Sequence, residues 1–63
     1  MNNDPKKMEN SELLANFLIS RDNLISIKRA MFEDHGNVHL QELFDSEQKI
    51  YDSLLLEVYR RMQ

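Results

Sequence analysis

Cysteine is absent from this chain, so no disulfide and no thiolate metal site can staple the fold. Glycine and proline occur once each, which leaves few places for a turn and little that would break a helix. No apolar run approaches the ~20 residues of a membrane span. Residues 1–9 are polar and hold no apolar core of a secretory signal. Basic charge is not in excess. The formal net charge is −3, whereas nucleic-acid binders carry a basic stripe for phosphate. These absences point to a cytoplasmic protein without a membrane anchor, and away from nucleic acid as partner.

What remains is helix-forming material. Leu, Ile, Met, Glu and Lys dominate, with 41% hydrophobic and 30% charged residues. At 63 residues the chain makes one domain, and domains of this size are marginal alone. With disulfides excluded, oligomerisation is the remedy left.

Gly36 divides two long amphipathic stretches. It supplies the left-handed residue that ends many helices, and Asn37 can cap the next one. The sequence predicts helix one over about 10–35 and helix two over about 38–61, with a short turn that forces antiparallel packing. Asp4-Pro5 is a helix-start signal, and Asn10 or Ser11 is a second candidate cap. The later start is preferred, with residues 1–9 flexible or frayed and Met1 to Asn3 disordered.

Helix one carries two apolar stripes. Leu13, Phe17, Leu24, Ile27 and Met31 form the first, interrupted by Ser20. Leu18, Ile25 and Phe32 form the second, about a quarter turn away. Arg21 and Lys28 lie between them, able to lay their methylene stems on apolar surface. Helix two is as broad. Phe44, Tyr51 and Val58 make one line, flanked by Leu43 and Ile50 on one side and Leu55 and Met62 on the other. Leu40, Leu54 and Glu47 fill the middle. One hairpin covers one stripe per helix, and a second hairpin can cover the rest. The expected fold is all-α: an antiparallel two-helix hairpin that dimerises into a four-helix bundle. Leu18, Ile25, Phe32, Phe44, Tyr51, Leu55 and Val58 are the expected dimer or partner interface.

Glu47 stands inside an apolar arc, where an unpaired carboxylate is costly. Folding about Gly36 sets it opposite Leu24 to Lys28, so Lys28 is its expected ion-pair partner, with Arg21 one turn away. His35 and His39 have metal-pair spacing, but Gly36 and Asn37 break the helix that would align them, and zinc wants three or four ligands. Ser46, Ser53, Tyr51 and Tyr59 have no base placed to activate them. Glu42, Asp45, Asp52 and Glu57 read as a solvated acidic face, and Arg60 and Arg61 suit the negative end of helix two. Met8, Met31 and Met62 read as core filling. The residues predict no catalytic site, no metal and no cofactor.

Leu43-x-Asp45 followed by Tyr51-x-Ser53 resembles part of the second helix of the Rop-type plasmid copy-number regulators, and Ala15-x-Phe17 a piece of their first. Those are two-helix chains that dimerise into four-helix bundles and bind paired RNA loops. The resemblance implies an RNA-binding reading that would need a basic face, with Arg21, Lys28 and Arg29 as candidates. Ser46-Glu47-Gln48-Lys49-Ile50 stands where the small sporulation phosphatases have Ser-Gln-x-Leu-Asp, and it lacks the Leu-Asp pair. The hairpin form is also similar to small co-chaperones of type III secretion needle proteins. The leading expectation is a small non-enzymatic interaction module, an adaptor or regulator, with itself and then another protein as partner.

Overall fold

A computed structural model describes residues 4–63. Met1 to Asn3, expected to be disordered, lie outside the described residues. A short 3-10 turn at Pro5–Lys7 precedes two long helices, α1 (Asn10–Glu33) and α2 (Val38–Met62). Among the described residues there is no strand. The two helices pack against each other as a hairpin. The body measures 39 × 19 × 17 Å, and its long axis is about one 25-residue helix. Its radius of gyration is 13.2 Å, against about 11 Å for a compact domain of this length. The shape is that of a single layer of two helices.

Local chemistry sets each boundary. Asp4 accepts a hydrogen bond from the Lys6 amide at 3.1 Å, and Pro5 takes the first turn position. Asp4-Pro5 is thus a start signal, but for a single turn. Helix α1 is entered through the extended backbone of Glu9, which makes no side-chain cap. Asn10 and Ser11 do not cap it. Asn10 Oδ1 instead accepts from Arg61 Nη1 at 2.8 Å, so a tertiary contact takes the oxygen that a cap would use.

Helix α1 stops at Glu33, two residues before the expected end. The Asp34 amide still bonds to Ala30, but its backbone has left the helix. Asn37 ties this end to the next helix. Its Nδ2 donates to Asp34 Oδ2 at 2.8 Å, while its Oδ1 accepts from the amides of His39 and Leu40 at 2.9 and 3.3 Å. Gly36 sits at φ +81°, the left-handed region that a side chain strains. Gly36 and Asn37 therefore act as the sequence suggested.

The core is small and lies toward the end of the hairpin that holds the termini. Met8, Leu13 and Leu54 are its buried apolar residues, with Phe17 and Val58 packed against them. Phe17 stacks on Tyr51 with ring centroids 5.1 Å apart. Toward the turn, Leu24, Ile27, Met31, Leu40 and Phe44 are only half-buried.

Candidate interaction face

The hairpin has two flanks, and the chain treats them differently. On one flank the N-terminal turn folds back over the helices. Met8 is buried there, and Pro5 and Met8 share a groove with Asn16, Ile50, Ser53 and Leu54. Residues 4–9 therefore form a strap against α2, where sequence reasoning expected fraying. Arg61 fastens it. Its Nη2 donates to the Met8 and Pro5 carbonyls at 2.6 and 3.1 Å, and its Nη1 to Asn10.

Glu57 completes the fastening. It accepts from Arg60 Nε at 2.9 Å and Arg61 Nε at 2.7 Å, and it is 4% exposed. The hydrogen bonds from Arg60, then the one from Arg61, hold its carboxyl down at about 2. Glu57 is thus a buried, doubly paired carboxylate, not part of a solvated acidic face. Arg60 and Arg61 do suit a helix C-terminus, as expected, but Arg61 also ties three segments together. The Glu57 pairs are local, but no local signal marks the contacts of Arg61 with the strap, whose partners lie some fifty residues away in the chain.

The same flank carries a polar inset in the seam. Ser20, 2% exposed, donates to Glu47 Oε1 at 2.9 Å, and Asn23 Nδ2 donates to the same oxygen at 3.3 Å. The two polar interruptions of the facing stripes meet each other. The expected Lys28–Glu47 ion pair is not formed. The register sets Glu47 one turn nearer the start of α1 than expected, and Lys28 diverges from it onto the opposite flank. Arg21 likewise pairs only loosely, with its neighbour Asp22 at 3.4 Å.

Among the described residues no strap lies on the opposite flank. Leu18, Ile25 and Phe32 are 38%, 49% and 77% exposed. Leu14 continues their line and is 55% exposed. Across the seam, Ile25, Arg21 and Lys28 share a shallow groove with Phe44, Gln48 and Tyr51. Toward the termini, Leu14 shares one with Val58 and Met62. Phe44, Tyr51, Leu55 and Val58 are half-buried. Tyr51 and Val58 are held by Phe17 and by the core of their own chain, so they lie beneath this face more than on it. Leu14 and Met62 are also exposed on this flank, beside the residues that sequence analysis placed there. Leu14 is one turn before Leu18 on the same line, a signal that was present in the spacing.

The remaining candidates stay apart. Phe32 covers the ring of His35 with centroids 5.8 Å apart, while His39 is exposed beyond the turn. Among the described residues no group of three His, Cys, Asp or Glu is placed to hold a metal ion. No helix among them is long and apolar enough to cross a membrane. Comparison of the chain with protein-family models, with curated proteins and with solved structures finds no match.

Proposed function

We propose that this chain is a small, non-enzymatic, cytoplasmic interaction module that works as a homodimer of helical hairpins, an adaptor or regulator presenting helix surfaces to another protein. The observation that carries this reading is the imbalance between core and surface. Among the described residues, Met8, Leu13 and Leu54 are the buried apolar side chains, whereas Leu14, Leu18, Ile19, Ile25 and Phe32 on α1 alone are large and exposed. Leu14, Leu18, Ile25 and Phe32 run in one line. Contiguous apolar surface of this kind marks an interaction site. Fully burying one such side chain contributes about 1.5–3 kcal/mol, so covering several outweighs a modest cost of association.

Thermal unfolding over a wide range of protein concentration tests the reading. A folded dimer melts at a higher temperature as concentration rises, because association is linked to folding. A melting temperature independent of concentration, with intact helicity, would remove the dimer from the proposal.

A further inference from the structure

We infer that the second copy docks with its α2 over α1 of the first, so that both hairpin turns lie at the same end of the bundle. This rests on the dimer reading above and deepens it. Two hairpins sharing one flat face through a two-fold axis have two simple choices. With the axis along the helices, α1 lies over α2 of the second copy. With the axis across them, α1 lies over α1, and the turns point in opposite directions.

Charge separates the two. The α1 half of the open face is basic, with Arg21 and Lys28 set among Leu14, Leu18, Ile25 and Phe32. The outer edge of the α2 half is acidic. Gln48 lines the same groove and donates to Asp52 at 2.9 Å, and Gln41 donates to Asp45 at 3.0 Å one helical stretch away. Placing α1 over α1 about Ile25 would set Arg21 opposite Arg29 and next to Lys28 of the second copy, like charge near like. Placing α1 over α2 keeps the register already seen within one chain, where Phe17 meets Tyr51 and Ile25 shares a groove with Phe44. Arg21 then faces Gln48 and Asp52 of the second copy, and Lys28 faces Gln41 and Asp45. Both cations meet anions, twice over by symmetry. Like-charge juxtaposition is a strong discriminator between binding modes, so the charges select the first arrangement.

The chain has no cysteine, so single thiols report cleanly. Lys28→Cys and Gln41→Cys both fall at exposed positions and leave the core untouched. Each is made as a separate protein, and the two are mixed, equilibrated and oxidised gently. The expected result is a disulfide-linked dimer from the mixture and little from either protein alone. Ile25→Cys alone should stay unlinked. Efficient self-linkage of Ile25→Cys would overturn the arrangement in favour of α1 over α1. Failure of the mixture to link, with the unsubstituted protein still dimeric in sedimentation, would also overturn it while sparing the dimer. A monomeric unsubstituted protein would sink the underlying reading instead. Charge reversal gives an independent check. Arg21→Glu should weaken dimerisation about tenfold or more, and adding Asp52→Arg to the same chain should restore it. No rescue by the double variant counts against the pairing.

Discussion

The two flanks of this hairpin are built from the same kinds of residue and end up in opposite states. On one, the strap buries Met8 against Leu54, Arg61 locks it, and Ser20 and Asn23 satisfy Glu47. On the other, Leu14, Leu18, Ile25 and Phe32 form a line of partly to largely exposed side chains. A two-helix layer has two sides to cover, and the strap of residues 4–9 covers one of them. The strap is spent on the flank where polar groups also need partners. The flank left over carries the exposed line of Leu14, Leu18, Ile25 and Phe32, a surface suited to another helix.

Substitutions on the closed flank should cost folding, whereas those on the open flank should cost association. Leu54→Ala should be the most damaging, about 2–5 kcal/mol by chemical denaturation, because it empties the centre of a very small core. A loss under about 1 kcal/mol would mean that the core does not sit where Met8, Leu13 and Leu54 meet. Gly36→Ala should cost about 1–2 kcal/mol, from the backbone alone, since a methyl group there meets nothing within 4 Å. Gly36→Asn should cost less, as asparagine tolerates the left-handed region. Asn37→Ala should cost about 1 kcal/mol through the lost cap.

Acid sharpens the contrast from the clasp side. The Glu57 carboxyl is held at about 2 in the fold, below an ordinary value of about 4.3. A depressed value means that its contribution to stability is complete above the ordinary carboxylate range and lost as pH falls toward 2. Glu57→Gln should therefore flatten the fall in stability between those limits, measured by denaturant titration at several pH values. An unchanged acid profile would show that the clasp does not carry this titration. The smallest effect on folding belongs to Phe32→Ser. At 77% exposed, it should change the stability of the unassociated hairpin by no more than about 0.5 kcal/mol while weakening association.

Most of the frame was legible because it is local. Leu13, Phe17, Ser20, Leu24, Ile27 and Met31 face α2 because helical spacing puts them on one side, and spacing is visible in any sequence. Gly36 and Asn37 announce the turn through their own chemistry. The exposed line of Leu18, Ile25 and Phe32 was legible for the same reason. The clasp was not. Arg61 reads as a helix-end cation, and only the closed hairpin brings Pro5, Met8 and Asn10 to it. Glu47 was misassigned through register. In the observed register Glu47 faces Ser20 and Asn23, while Lys28 lies on the other flank.

We propose that a second copy covers the open flank. Sedimentation equilibrium of the intact chain and of Ile25→Asp tests it most directly. The expected mass is twice that of one chain at micromolar concentration for the unsubstituted protein, and that of a single helical chain for Ile25→Asp. A compact single chain at about 100 μM for the unsubstituted protein would contradict it, since a face this apolar should then be half covered or better.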